Sequence, residues 1–571
     1  MRNRHMFSCA FVCLLSILAN TAGVGAASEI PHLRKQGTAT QLIVDGKPFL
    51  ILGGELANTA SSSLEYMNSV WPRLNKMNLN TVLAAIAWAW IEPEEGKFDF
   101  SLVDGLLAGA RSNNLRIIFL WFGSWKNGIS SFVPAWVKSN QERFPRVQIK
   151  GGKSIEILST FSDSNRDADG RAYAAFMRHL REVDSDKRTV IMIQMQNEVG
   201  ILGDSRDRCA PANENFAGHV PGALMDYLQK NRGTLLPEFV KLWESAGYKA
   251  SGTWEEVFGP GAETDEIFMA WSYARYMDQL AHLGKAEYPL PVFTNTWIVQ
   301  PEDKGPGDYP SGGPEPMVLD VWRAGASNID INAPDIYLPN FAEWCARFNR
   351  NANPLFVPES RGDAVGVANA FYAVGQHSAI GYSPFGIDNT VRLIALRPDL
   401  NQQGPTEIEN LPLPKGYAIL RQLMPLILEH QGKGTMAAAS LNAQNKTQTL
   451  KLGDYALNVD LNHNRRDPSQ VAAFGYGLFI AVGPNEYVVA GQDVQITFTP
   501  ITPGPPIAGL ATVEAGTFFD GRWAPGRQLS GDDVLLDYNL AAAAAMNQSG
   551  SGLRFSGDGP SIQRVKLYRY R

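Results

Sequence analysis

The sequence is short of the residues that mark several common chemistries. Its 571 residues include four cysteines, and two of these, Cys9 and Cys13, fall in an N-terminal segment with the look of an export leader. The other two, Cys209 and Cys345, are too few for a disulfide framework. They could pair in an oxidising compartment, but Cys345 lies in a helix-like stretch, 341–348, where a buried thiol is the simpler reading. The eight histidines are scattered, and neither His-Glu-x-x-His nor Cys-x-x-Cys occurs, so no zinc or redox site is expected and no cofactor is implied. There is no Gly-x-Ser-x-Gly elbow for serine hydrolysis. Gly151-Gly152-Lys153-Ser154 resembles the end of a phosphate loop, but Val147 stands where the earlier glycine belongs and no strand leads directly into it.

Charge and hydropathy exclude more. A net charge of -6 gives no reason to expect a nucleic-acid partner. The apolar run 6–18 is too short to span a bilayer. With Arg2 and Arg4 before it and Val24-Gly25-Ala26-Ala27 after it, it reads as a signal peptide over residues 1–27. A periplasmic or secreted protein follows, with no membrane insertion once the leader is removed. Oligomeric state leaves no mark in the sequence.

At 44% hydrophobic and 19% charged, the composition is that of a globular protein, and the length calls for at least two domains. Eight apolar, β-rich segments recur at 49–54, 81–88, 116–123, 190–196, 291–297, 329–337, 354–359 and 379–385, with helix-like stretches between them. Near-continuous apolar runs alternating with helical patterns indicate parallel βα units, and eight of them predict a (β/α)8 TIM barrel of the α/β class. Residues 63–77 and 169–183 carry apolar side chains at helical spacing. Beyond residue 425 short alternating segments such as 455–459 and 493–498 predict an all-β sandwich domain. The expected organisation is a leader over 1–27, a barrel over 28–425 and a β-sandwich over 426–571. At roughly 31 residues per βα unit, about 95 residues should separate the ends of the fourth and seventh strands. The 161 positions from Glu198 to Glu359 therefore imply an insertion, placed at about 201–290. The Gly- and Pro-rich 300–316 should form a wall or lid beside the site.

Two acidic residues end two of the apolar runs. Glu198 closes Gln194-Met195-Gln196-Asn197-Glu198-Val199-Gly200, and Glu359 closes Leu355-Phe356-Val357-Pro358-Glu359. In a barrel both lie at the C-terminal strand ends, where one carboxyl as proton donor and one as nucleophile can hydrolyse a glycosidic bond with retention. A glutamate at a strand end also caps helices. The pairing of two such residues in one predicted barrel, crowded by aromatics, favours catalysis. Arg361 would lower the pKa of Glu359 if the two side chains converge, and Tyr337 is placed to donate its hydroxyl to that carboxylate. Sugar hydroxyls and C–H faces would be met by Asn197, Glu55, Trp88, Trp125, Trp297 and Tyr382, with Trp90, Trp121 and Asn58 nearby.

The segment from Trp88-Ala89-Trp90-Ile91-Glu92-Pro93 to Gly96-Lys97-Phe98-Asp99-Phe100 resembles the second-strand signature of the retaining β-galactosidases of glycoside hydrolase family 35. Gln196-Asn197-Glu198-Val199-Gly200 is similar to that family's acid/base motif, and Pro358-Glu359-Ser360 falls where its nucleophile would. The resemblance spans about 40–390. It implies an exo-acting enzyme that removes terminal β-galactose, with Glu198 as acid/base, Glu359 as nucleophile and Asn197 as a sugar contact. The short pattern of a barrel plus one C-terminal β-domain is similar to bacterial members that trim plant hemicellulose such as xyloglucan. The chain departs from the family at Ala85, at Gly123-Ser124-Trp125 and at Gly381-Tyr382-Ser383-Pro384-Phe385-Gly386, positions that touch the sugar there. Another exo-β-glycosidase of the same barrel type, and a carbohydrate-binding protein without catalysis, remain as alternatives.

Overall fold

The computed structural model describes residues 29–350, 352–389, 407–463, 471–536, 551–557 and 559–571. The leader expected over 1–27 lies outside them. A small antiparallel sheet (His32–Gln36, Ala39–Val44, Lys47–Phe49) precedes eight parallel strands. These are β1 (Ile51–Glu55), β2 (Thr81–Ala87), β3 (Arg116–Lys126), β4 (Val190–Asn197), β5 (Val292–Trp297), β6 (Ile331–Asp335), β7 (Val357–Ser360) and β8 (Gly381–Pro384). All eight coincide with the apolar runs of the sequence.

Neighbours in the ring are neighbours in the chain, in the order β6-β5-β4-β3-β2-β1-β8-β7. The ring closes where Ile336 and Ser360 form a parallel bridge and Ile336 N donates to Glu359 O at 3.1 Å. Closure leaves no unpaired strand edge, and it directs every C-terminal strand end to one face. The strands are buried along nearly their whole lengths because helices cover the outside and side chains fill the inside.

The covering helices are α1 (Leu64–Asn75), α2 (Ser101–Ser112), α3 (Asp163–Asp184), α4 (Ala262–Glu287), α5 (Leu319–Gly325), α6 (Phe341–Phe348), α7 (Ala364–His377) and α8 (Pro412–His430). In α1, Met67, Val70, Trp71 and Leu74 form the buried stripe, and Ser63 caps the start by accepting from Tyr66 N. Helix α3 begins six residues before the apolar periodicity does, because Ser162 caps it and its first turn is polar.

Two boundaries differ from the sequence expectation. Helix α4, placed within an insertion over 201–290, is the barrel's own fourth helix and packs along α3, with the Tyr173 ring seated against Gly284. The excursion therefore ends near residue 261. The helix hides its role because it buries polar residues, Asp265, Glu266 and Asp278 among them, so its hydrophobic stripe is blurred. Helix α8 runs through Pro425, so a division at 425/426 would cut it. Leu423 and Ile427 are buried on either side of the proline, and their packing outweighs the lost backbone donor. Tyr417 on α8 donates to the carbonyls of Gly53 and Tyr382, at 3.0 and 2.9 Å, which ties the helix to β1 and β8.

Beyond α8, a six-stranded and a five-stranded antiparallel sheet face each other across a core that includes Leu457, Phe479, Val489, Ile496 and Val565. Cys209 and Cys345 are both buried and free.

Candidate active site

The run Val190–Asn197 forms β4, and its exit is unusual. Gln196 and Glu198 both have left-handed backbone, with φ of 57° and 45°. Non-glycine residues adopt this region only where surrounding structure holds them there, and such positions concentrate at functional sites. Here Asp169 holds Gln196: its Oδ2 accepts from Gln196 Nε2 at 2.8 Å and from Ser124 Oγ at 2.7 Å, while Gln196 Oε1 accepts from Trp125 N at 3.0 Å. Gly200 (φ 143°) completes the exit, since a Cβ there would lie 2.4 Å from the carbonyl of Pro310. The 300–316 segment packs on that surface, and Ile201 and Ser311 exchange backbone hydrogen bonds at 3.0 and 2.9 Å.

The turn aims Glu198 into a cavity of about 780 Å³ at the C-terminal face, lined by Trp297, Gln300, Asp335, Tyr337 and Glu359 among others. Gln300 and Glu302 come from the Gly- and Pro-rich segment, which thus forms part of the wall. One carboxylate oxygen from each of Glu198, Asp335 and Glu359 lies within 4.8 Å of the other two. The trio is close enough to hold a cation. Asn295 on β5 fixes two of the three: its Oδ1 accepts from Glu198 N at 2.9 Å and its Nδ2 donates to Asp335 Oδ2 at 2.6 Å. Tyr337, just beyond β6, donates to Glu359 Oε1 at 2.7 Å, as its position in the sequence predicts.

Burial sets the protonation of the group. Loss of solvent, reinforced by the charge of Glu359, pushes Glu198 up to about 8. The same two causes raise Glu55 and Asp335 well above the ordinary carboxyl range. Each of the three keeps a proton more readily than a solvated acid because burial penalises the ion and a neighbouring carboxylate repels it. Burial and Glu359 also hold the Tyr337 hydroxyl protonated, as a donor must be. Lys126 supplies nearby positive charge that partly opposes the rise at Glu55 and Glu198. Its Nζ donates to Asn197 Oδ1 at 2.8 Å.

Several side chains expected at the site do other things. Trp88 is buried and donates to Glu92 Oε2 at 2.6 Å, while its ring meets Trp136 edge-on. Trp125 is buried against Tyr273 and Tyr276 and donates to Leu158 O at 3.1 Å. Tyr382 is buried, its hydroxyl donating to Ser360 Oγ or Arg361 O at 2.9 Å. None of the three lines the cavity; large aromatics at strand ends are taken up by packing. Trp121 is likewise buried, donating to Asp169 Oδ1. Asn58 lines a neighbouring hollow that shares Phe385 with the main cavity. Glu55 lies fully buried beside the carboxylates, its Oε1 unpaired among the described residues. Arg361 pairs with Asp363 rather than with Glu359, its Nε donating to Asp363 Oδ1 at 2.8 Å.

The sequence reading missed Asp335, Asn295, Lys126 and Asp169. For Asp335 the signal was present, since it too is an acid at the end of a buried strand. For the other three, nothing in the linear pattern separates them from ordinary polar residues.

Two family models match separate parts of the chain. A glycoside hydrolase 42 family model described as β-galactosidase matches residues 62–288, and a domain of unknown function (DUF5597) matches residues 413–540. A β-galactosidase of Xanthomonas manihotis is 25% identical over 194 residues, which is 33% of this chain and 29% of that protein. The solved β-galactosidase of Bacillus circulans sp. alkalophilus aligns with a TM-score of 0.40 at 16% identity, covering 59% of this chain and 50% of that one. That of Rahnella sp. R3 aligns at 0.40 and 18% identity over 59% and 50%. The chain thus spans half or less of the length of these relatives.

Proposed function

We propose that this protein is an exo-acting, retaining β-galactosidase of glycoside hydrolase 35 type, hydrolysing terminal β-D-galactosyl residues of plant hemicellulose oligosaccharides such as xyloglucan fragments. The observation that carries the reading is the approach of Glu198 and Glu359, remote in the chain, to within 4.8 Å in one cavity. A separation of about 5 Å suits direct attack on an anomeric carbon, whereas inversion needs a wider gap for water. The match over 62–288 is to a glycoside hydrolase 42 model, and it supports the β-galactosidase part of the reading rather than the family 35 assignment.

The roles follow from the environments. Glu198, pushed up to about 8, holds a proton at neutral pH and delivers it to the glycosidic oxygen as the bond to the anomeric carbon breaks. Glu359, steadied by the Tyr337 hydroxyl, attacks that carbon and forms a glycosyl ester. Glu198, now ionised, takes a proton from water, whose oxygen attacks the anomeric carbon and releases Glu359. Trp297 lines the cavity and offers a face to the ring's C–H groups, whereas Asn197 is fully buried beside Glu198, is not among the lining residues, and is kept as a sugar contact on the family resemblance alone. Export to the periplasm or beyond would bring the enzyme to such oligosaccharides.

The test is product stereochemistry by NMR on an aryl β-galactoside, run beside a panel of aryl β-glycosides. First release of β-galactose is expected. First release of the α-anomer would remove Glu359 as nucleophile, and clear preference for another sugar would reject galactose. Inertness toward every aryl glycoside, with retained oligosaccharide binding, would leave a binding protein.

A further inference from the structure

Asp335 ends β6, is buried and lines the cavity, yet neither half of the proposed hydrolysis uses it. Its two oxygens are unequal. Oδ2 accepts from Asn295 Nδ2 at 2.6 Å, and that amide cannot be reversed, because its oxygen faces Glu198 N at 2.9 Å and a backbone N–H only donates. Oδ1 is buried and meets no donor among the described residues. What Asp335 does meet is the carboxyl of Glu198, close enough for a side-chain hydrogen bond, while Glu359 and Glu55 act on it by charge. Two carboxylates cannot make that bond, so one of the pair must bring a proton.

Charge balance decides which. Glu55, Glu198, Asp335 and Glu359 are all buried, and the Lys126 ammonium acts on Glu55 and Glu198 from nearby. Arg361, which also lines the cavity, is committed to Asp363, and Glu302 on the wall is exposed to solvent. Buried charge is tolerated when it is paired, so a single ionised acid opposite a single ammonium is the favoured state of the group. Hydrolysis gives that one charge to Glu359 before the attack and to Glu198 once Glu359 is esterified. Asp335 is left protonated in both stages, the direction in which burial and the charge of Glu359 also push it.

We infer that Asp335 is a positioning residue that works as a carboxylic acid, its Oδ1–H donating to the Glu198 carboxyl and steadying Glu198 when it becomes an anion. This rests on the proposed roles of Glu198 and Glu359. The Asp335 proton is never passed on: Glu198 gives its own proton to the glycosidic oxygen and regains one from the attacking water, and it accepts the same hydrogen bond throughout. That bond is strongest when Glu198 is charged, so it favours the transition state over the resting enzyme.

The experiment measures kcat/KM against pH on an unactivated phenyl and an activated dinitrophenyl β-galactoside, or the same glycosides of whichever sugar is hydrolysed, in three forms of the full chain. Asp335→Asn puts an N–H where the O–H is inferred and cannot ionise, so both rates should stay within about threefold of the wild type and the base limb should keep its place. Asp335→Leu offers no donor, and it should slow the phenyl substrate about 10- to 100-fold while sparing the dinitrophenyl one, which needs no proton. A base limb that drops by about one unit or more in Asp335→Asn would show that Asp335 is an anion repelling Glu198, and would overturn the inference even if Asp335→Leu does not fold. An equal fall on both substrates in Asp335→Leu would reduce Asp335 to a structural residue and overturn it too. So would wild-type activity that rises with added magnesium and is lost with EDTA, because a cation would then hold the carboxylates. A wild type inert to every glycoside would strike down the functional reading instead, and the proton is then read by infrared difference between the wild type and Asp335→Asn at neutral pH. A protonated-carboxyl band is expected, and carboxylate bands in its place would overturn the inference.

Discussion

The Tyr337 hydroxyl donates to Oε1 of Glu359 at 2.7 Å, and the other oxygen, Oε2, is buried with no partner among the described residues. One oxygen is therefore tied down, and the other makes no hydrogen bond among the described residues. The one hydrogen bond fixes the orientation of the carboxylate, which the proposed nucleophilic role of Glu359 requires.

Tyr337→Phe should leave the fold intact and lower kcat/KM on an aryl β-galactoside by roughly 10- to 100-fold, the value of a hydrogen bond to a charged group of about 1.5–3 kcal/mol. An unchanged rate would show that packing alone orients Glu359.

On the proposed mechanism Glu198→Gln removes the proton donor and Glu359→Gln removes the nucleophile, so the two variants should differ in kind. Loss of the proton donor should slow poor leaving groups by about 100- to 10,000-fold while sparing activated aryl galactosides in the first step. Added azide should then accelerate turnover and yield the β-galactosyl azide, detected by NMR. Loss of the nucleophile should abolish turnover of all substrates with no such rescue.

On the proposed mechanism the base limb of the pH profile reports Glu198. Glu198 is raised to about 8, so its protonated, proton-donating form persists through neutrality and is lost as pH rises past that value. Measured kcat/KM should accordingly fall above about pH 8. A fall already beginning below pH 6 would mean that Glu198 is ionised at neutrality and cannot be the donor.

Away from the cavity, Glu266 is buried within α4 and burial raises it to about 7, with Tyr309 of the wall segment beside it and Glu315 close enough for the two acids to repel. A raised folded-state value means that the folded chain holds this proton more tightly than the unfolded one. Its stabilisation is complete below the unfolded value of about 4.5 and is lost as pH rises to about 7. Glu266→Gln should therefore flatten the decline of Tm between pH 5 and 7 measured by calorimetry, and a decline as steep as in the wild type would refute this.

Gly200→Ala should impair both stability and activity, because the added Cβ would strike Pro310 and alanine disfavours φ near 143°. Thermal unfolding at the wild-type temperature with full activity would show that the wall segment moves aside freely.

The linear sequence established the eight strands, the order of the barrel, the β-rich C-terminal part and two of the acids in the cavity. It could do so because those features are local: a strand buried on both faces is a run of apolar residues, and an acid at its end is visible as a break in that run. Tyr337 was legible for the same reason. Tertiary structure alone decided that Glu198 and Glu359 approach within 4.8 Å and that Asn295 joins Glu198 to Asp335. It also turned Trp88, Trp125 and Tyr382 into packing and Lys126 into the partner of Asn197. These outcomes depend on which residues from distant strands meet when the ring closes. A side chain at a strand end carries no local mark of whether it will face the cavity or a neighbouring helix.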